Sequence, residues 1–449
     1  MTKNSGEKFQ RSGNIAHSFI INNEEVQKYL KNCIIPFKVE DINLNKNLLH
    51  DIEFTTENSI ENIVTTDGEK TVIPVKKSFP SSLITFFQFG SLLIKRADLD
   101  DMKQKPFVSP SDIKKIKKID REHLVIPTKN ISLKKGINFK VSVRNTIHDF
   151  FKKKHTGTTS MLETLFWFIF RLYDVSNTKD SYKLSSCPHC GTRKIKLKRD
   201  EIDFSNYSWK CTHKKCNREI LLTDVFRLFE QVSNEKGSEG ILSYTKSLIE
   251  SFLHVHTIKR ILEIEEGMIN RFLFVRDGPL SFGGETANMY KPMQAMINFL
   301  SKSNRINMVG VEKTGAFVDH AKQIKDKLEP GQLFLLSNEH IYTYILPGNP
   351  TKDNYASTSY YSGKMIYKSP DKRVYVLTVP VENHKNYYIT PELTDLKNIH
   401  EILQCINSLK CDIYENAIMP VAIANKLISL TNHPSSNILE QFAKKTMGK

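Results

Sequence analysis

The sequence predicts an α/β or α+β fold: a sheet flanked by helices, interrupted by an inserted cysteine-rich module. Three observations predict it. β-Branched and aromatic residues crowd between residues 62 and 94, strand-like and helix-periodic segments alternate after residue 240, and four cysteines in two short pairs divide these regions. At 449 residues, 39% hydrophobic and 10% aromatic, the chain is long enough for two or three domains with real cores.

Residues 1–22 read as a loose leader, and residues 24–30 start a helix. Ile63-Val64-Thr65-Thr66, Thr71-Val72-Ile73-Pro74-Val75 and Leu83-Ile84-Thr85-Phe86-Phe87 read as strands separated by turn residues. Residues 95–155 are polar, basic and weakly periodic, and read as an excursion from that sheet. A partly buried helix follows at 161–173. Residues 222–232 and 240–263 space apolar side chains by three and four, as in Leu248, Phe252, Val255, Ile258 and Leu262, and read as helices. A strand at 272–276, a helix at 287–301 and a strand at 306–311 come next. Strands at 333–336 and 374–379 flank an irregular tyrosine-rich hairpin region at 340–368. Helices at 396–409 and 420–430 follow, and Ser435-Ser436 caps a last short one. No internal repeat is present. The expected division is 1–60, leader and first elements; 61–180, first part of the core; 181–220, the cysteine module; and 221–449, the remainder of the core.

Charge is unevenly placed. The net charge is +16, yet residues 95–154 hold 17 Lys/Arg against 7 Asp/Glu and residues 183–218 hold 10 against 3. These two blocks account for the whole surplus. Clustering of this kind suits a polyanion such as DNA or RNA. The alternative is that runs such as Lys114-Lys115-Ile116-Lys117-Lys118 are only solvated faces, and two separate blocks weigh against it. The first twenty residues have no apolar stretch of a secretory signal, and the most apolar run, residues 161–173, is short and broken by Glu163 and Arg171. The expected setting is cytoplasmic, with no membrane segment.

Cys187-Pro188-His189-Cys190 and Cys211-Thr212-His213-Lys214-Lys215-Cys216 are two knuckles with twenty residues between them. Four thiolates at this spacing match the closed tetrahedral geometry of structural Zn²⁺. Disulfides are the alternative, disfavoured in a reducing compartment. His189 and His213 are possible substitute ligands. The module reads as a ribbon over residues 183–217 whose hairpin, 194–209, lies between the knuckles, and its positive charge points to DNA phosphates or a partner. Cys33, Cys405 and Cys411 lack such spacing and read as ordinary thiols.

Asp277 ends the apolar run Phe272-Leu273-Phe274-Val275-Arg276 and precedes Gly278-Pro279, so it sits at a strand end, where α/β folds place chemistry, or in a simple turn. Asp67-Gly68 repeats the arrangement, with a hairpin turn as the alternative. Hydrolysis of phosphodiesters by two metal ions needs several carboxylates converging from separate elements. Glu250 lies between Leu248-Ile249 and Phe252-Leu253, where an unpaired carboxylate is costly to bury; pairing with Lys246 is the alternative. Glu263 reads as the solvated end of the same helix. Arg276 is expected on the opposite face of its strand from Asp277.

In this order, Thr66-Asp67-Gly68, the helix glutamate, Val275-Arg276-Asp277-Gly278-Pro279-Leu280, Val309-Gly310-Val311-Glu312-Lys313-Thr314 and Met419-Pro420-Val421-Ala422-Ile423-Ala424-Asn425 resemble the motifs of the NurA nuclease family over most of residues 60–430. The resemblance implies an α/β, RNase H-like mixed sheet flanked by helices, here in a bacterial NurA-domain protein with an inserted four-cysteine zinc ribbon. It also implies Mn²⁺- or Mg²⁺-dependent exo- and endonuclease action on DNA, a homodimer, and partnership with a HerA-type hexameric ATPase translocase. Asp67 and Asp277 become metal-binding carboxylates and Glu250 the third, with Glu263 as its alternative. Lys313 either contacts the scissile phosphate or lies on the surface.

Two departures stand out. Asn425 falls where the family has a histidine, and an amide can coordinate a hard cation but cannot shuttle a proton. Glu69 replaces the usual serine. The expected mechanism has Asp67, Glu250 and Asp277 holding two ions, one activating water and one stabilising the leaving oxygen. A different class of function, a non-catalytic DNA-binding or adaptor subunit of a translocase complex, competes with it. DNA-end processing in repair and attack on phage DNA both suit the resemblance. The tyrosines between 342 and 367 suit stacking on single-stranded bases or packing of a hairpin.

Overall fold

Long β-branched and aromatic runs assemble a nine-stranded sheet in this computed structural model, which describes all residues except 1–16, 34–37, 55–56, 104–118, 155–158, 304–305, 412–416, 431–434 and 448–449. The chain forms two units, residues 1–43 and 44–449. The first contains α1 (Glu24–Asn32), whose N-terminus is capped by the Asn23 side chain accepting from the Val26 amide. The second contains the sheet and everything that follows.

The sheet comprises β1 (Leu49–Asp51), β2 (Asn62–Lys76), β3 (Ser82–Lys95), β4 (Ile119–Lys129), β9 (Phe272–Asp277), β10 (Asn307–Glu312), β11 (Gln332–Leu335), β12 (Ser362–Lys368) and β13 (Val374–Pro380). Their spatial order is β1-β11-β12-β13-β10-β9-β2-β3-β4. β2, β3 and β4 form an antiparallel meander, β9 runs parallel to β2, and β10 parallel to β9. Three antiparallel strands followed by two parallel to the first is the RNase H-like arrangement that the resemblance implies. β13, β12, β11 and β1 extend it antiparallel. Parallel neighbours require a long crossover, and residues 130–271 supply it.

That crossover carries α2 (Phe139–Lys152), α3 (Met161–Ile169), the cysteine module and the 23-residue α4 (Leu242–Ile264). α3 starts with a capping box between Ser160 and Glu163. α4 buries Leu248, Ile249, Phe252, Val255 and Ile258, and even Glu250, His254 and Lys259 are covered. Helices α5 (Tyr290–Ser303), α6 (Ala316–Ile324), α7 (Ile399–Ser408), α8 (Met419–Ile428) and α9 (Ser435–Thr446) complete the layers. Among the described residues no helix is long and apolar enough to cross a membrane.

Four expectations change. The turn expected at Asp67-Gly68 is absent: β2 runs straight through it, with Asp67 opposite Gly90 and Gly68 opposite Phe89, because β3 offers a ladder in constant register from Leu83 to Lys95. The basic stretch 95–155 is no excursion. It contains β4, where Leu124, Ile126 and Thr128 point inward, and α2, which buries Val143, Ile147, Phe150 and Phe151. Its run Lys114–Lys118 falls outside the described residues. The helix expected at 222–232 is two short 3₁₀ turns broken at Arg227, whose φ of 64° ends one and starts the next. Finally, no hairpin joins the cysteine knuckles. Each knuckle instead forms the turn of its own two-stranded sheet, β5 (Ser181–Ser186) with β6 (Arg193–Lys198), and β7 (Ser208–Lys210) with β8 (Glu219–Leu221).

Candidate active site and metal centre

β9 ends at Asp277. Its ladder with β2 closes on the pair Thr66 and Arg276, so Asp67 and Asp277 come next in register, at the mouth of the two parallel strands. Gly278, with φ of 101°, turns the chain away and donates its amide to Val311 O at 2.8 Å. Thr66 and Arg276 face α4: the Thr66 hydroxyl donates to Glu250 O at 3.0 Å, and Arg276 donates to Ser281 O and to the Ser247 hydroxyl. Strand alternation therefore turns Asp67 and Asp277 toward the other face of the sheet, where Asn425 of α8 meets Asp67.

Glu250 comes from the α4 side. Its Oε1 lies beside Gly68 so closely that a Cβ there would stand 3.2 Å from it and 2.7 Å from Phe89 Cδ1. Gly68 is thus explained by close approach rather than by a turn. Glu250 is fully buried and pairs with Lys246, one helical turn earlier, at 2.9 Å. On the other face, Lys313, the residue after β10, pairs with Asp277 at 2.7 Å. With its amide oriented to satisfy both neighbours, Asn425 donates to Asp67 Oδ2 at 2.6 Å and accepts from Lys313 Nζ at 2.5 Å.

The structure therefore links Asp67, Asn425, Lys313 and Asp277 on one face of the sheet, with Glu250 on the α4 side near enough for its charge and those of the two aspartates to act on one another. Glu263 is not among them. It sits at the far end of α4, half exposed and paired with Lys259, about 20 Å along the helix from Glu250 at 1.5 Å per residue. Lys313 is half-buried among these groups rather than an isolated surface residue.

The electrostatics follow from crowding. Burial, then repulsion from Glu250, pushes the Asp67 carboxyl up to about 7; Lys246 opposes this, Asp277 adds to it and the Gly68 amide opposes it slightly. Burial also raises Glu250, against the pull of Lys246 and Arg276. For Lys246 burial acts downward, but Glu250, Asp67 and Asp277 outweigh it and hold the ammonium above its ordinary value. Each carboxylate thus already has a donor against it: Asn425 on Asp67, Lys246 on Glu250 and Lys313 on Asp277.

The four cysteines are packed differently. Their sulfurs all lie within 4.8 Å of one another, a group that could hold a metal ion. Cys187 and Cys216 are 4.0 Å apart and Cys190 and Cys211 3.8 Å. A tetrahedron with Zn–S bonds of about 2.3 Å has edges of about 3.8 Å. The cluster could hold a metal ion such as zinc. His189 is not a ligand: its Nε2 meets Glu219 O at 2.8 Å and the Arg144 guanidinium at 3.2 Å. His213 also lies outside the group.

Sequence reasoning missed Arg144. Buried on α2, it grips Asp224 with Nε at 2.9 Å and Nη2 at 2.7 Å, and Asp224 in turn accepts from the Leu221 amide at 2.8 Å. This fork ties the core to both cysteine hairpins, and no local sequence signal marks it. On β6, Ile195 and Leu197 point inward while Arg193, Lys194, Lys196 and Lys198 are exposed, so the module presents a basic strip. The tyrosines go to packing. Tyr361 and Tyr367 are buried, and Phe317, Tyr355 and Tyr360 surround the buried Lys364 ammonium, which pairs with Glu312 at 2.7 Å.

No protein-family model and no curated protein matches the chain. Among solved structures it is similar to the NurA nuclease from Sulfolobus solfataricus, at 10% identity and a TM-score of 0.32 over 99% of this chain and 98% of that one. It is also similar to a second crystal structure of NurA, at 9% identity and a TM-score of 0.28 over 98% of this chain and 97% of that one.

Proposed function

We propose that this chain is a divalent-metal-dependent DNA nuclease of the NurA kind that hydrolyses phosphodiester bonds at a centre formed by Asp67, Glu250 and Asp277. One observation carries the reading: three carboxylates from a mid-sheet strand, a strand end and a buried helix lie near enough for Glu250 and Asp277 to raise Asp67, with Lys313 on Asp277 and Asn425 on Asp67. Burying like charges together is costly unless a cation relieves it, and carboxylate and amide oxygens are the donors that Mn²⁺ and Mg²⁺ prefer. The donor set fits a divalent ion. When bound, such an ion supplies Lewis acidity at the scissile phosphate.

The chain's own groups do the rest. Asp67 and Asp277 fix the centre at the mouth of β2 and β9. Lys313, released from Asp277, offers its ammonium to a phosphate oxygen. Asn425 has no exchangeable acid proton and serves to orient Asp67 and Lys313. The exposed basic strip on β6 attracts the DNA backbone, and the four-cysteine module takes structural Zn²⁺. Homodimer formation, a HerA-type ATPase partner, a cytoplasmic setting and a role in DNA-end processing or defence against phage DNA belong to the same proposal.

The test is degradation of linear DNA with Mn²⁺ by the native chain, Asp67→Ala and Asp277→Ala. Cutting by the native chain alone supports the proposal. Equal cutting by all three contradicts it. No cutting by any, even with a hexameric translocase added, favours the adaptor role instead.

A further inference from the structure

We infer that Lys70 and Lys246, gathered at the start of α4, form a binding site for a backbone phosphate of DNA beside the one that is cut. The inference rests on the nuclease reading and adds residues that seat its substrate.

Lys70 stands two residues beyond Gly68 on β2, so strand alternation sends it to the face of Thr66, toward α4. There its ammonium donates to the hydroxyl of Ser243, in the first turn of α4, at 2.7 Å. The side chain is half-buried, and among the described residues no carboxylate forms an ion pair with it. Burial, then the charge of Lys246, pushes it below its ordinary value, while the preceding residue Glu69 opposes this. Two ammonium groups held near each other repel, and a bound anion relieves that repulsion.

Lys246 lies one turn further along the helix. It contacts Glu250 at 2.9 Å yet keeps a third of its side chain open. Burial acts downward on it, but Glu250, Asp67 and Asp277 outweigh burial and keep it charged. The charges of all three carboxylates therefore reach Lys246, and a phosphate held on it lies next to the proposed centre. Arg276, buried on β9, adds a positive charge that acts on Glu250. On the α4 side Lys70, Lys246 and Arg276 thus outnumber Glu250.

The helix strengthens the same field. α4 has 23 residues, no side-chain cap at its N-terminus and no acidic residue in its first turn. The dipole of a helix favours negative groups at that end, and here the chain brings two lysines to it instead. An anion from outside satisfies the lysines and the dipole together. A phosphodiester carries such a charge, and lysine ammonium groups bind it without reading the bases.

The experiment measures how binding depends on salt. Labelled linear DNA is titrated with the full-length, zinc-loaded chain without added Mn²⁺, and fluorescence anisotropy gives the affinity at several salt concentrations. Lys70→Met and Lys70→Gln, with folding checked by circular dichroism, should lower the affinity equally for unrelated sequences. They should also flatten the plot of log affinity against log salt by about one unit. Lys70→Arg should keep the native slope. With Mn²⁺ present, Lys70→Met should raise KM more than it lowers kcat. Native affinity and native slope in the folded Lys70→Met and Lys70→Gln chains would overturn the inference, and cleavage by those chains would leave the nuclease reading standing. A flattened slope in Lys70→Met with no cleavage by the native chain would keep the phosphate site and remove the nuclease reading. Neither binding nor cleavage by the native chain would remove both.

Discussion

Asp67→Asn should make the folded protein more stable while abolishing its proposed activity. In the metal-free protein, burial and Glu250 raise the Asp67 carboxyl from 3.8 to about 7. A carboxylate raised on folding binds its proton more tightly in the native state, so stability falls as pH rises from the unfolded value toward the folded one. At 1.36 kcal/mol per unit, the cost is about 2 kcal/mol at pH 5.5 and about 4 kcal/mol at pH 8. Asparagine removes the charge yet still accepts from the Asn425 amide. Urea unfolding without added divalent cation should therefore show the variant more stable than the native chain, by about 2 kcal/mol more at pH 8 than at pH 5.5. Added Mn²⁺ should stabilise the native chain and not the variant. A variant less stable than the native chain at pH 8 would refute the reasoning, because the crowding that is proposed to attract a cation would not exist.

Other substitutions test the supporting structure. Gly68→Ala would place a Cβ 2.7 Å from Phe89 Cδ1, and overpacking of this kind should cost about 1–3 kcal/mol in urea unfolding and disturb Glu250. Arg144→Ala would leave Asp224 charged, buried and unpaired, a loss of about 3–5 kcal/mol that Asp224→Asn in the same chain should partly restore. Cys211→Ser should eliminate bound zinc by elemental analysis and lower the melting temperature, whereas Cys33→Ser should do neither. Lys313→Met should slow DNA cleavage on the order of 10²-fold in kcat with little change in the affinity for DNA, as expected for a group that acts on the reacting phosphate.

Much of this was legible in the sequence, for reasons that differ by residue. The four cysteines declare themselves because metal geometry constrains spacing directly. Asp277 is visible because an apolar run that stops at Asp-Gly-Pro marks where a strand gives way to a turn. Asp67 was recognisable, but its setting was not: Asp-Gly carries the strongest hairpin signal, and only pairing with Gly90 and Phe89 of β3, more distant in sequence, keeps the strand straight. β4 was hidden because its inward positions include Glu122 and Thr128, which break the apolar alternation. The pairing of Asn425 with Asp67 and Lys313, and the fork from Arg144 to Asp224, join residues 80 to more than 350 positions apart, and no local pattern records such contacts.

The most direct test of the central claim is the rate at which linear DNA is degraded in Mn²⁺ by the native chain and by Asp277→Ala. Both should fold and carry zinc. The account predicts cleavage by the native chain and a loss of at least 10³-fold in the variant, and cleavage at the same rate by both would contradict it.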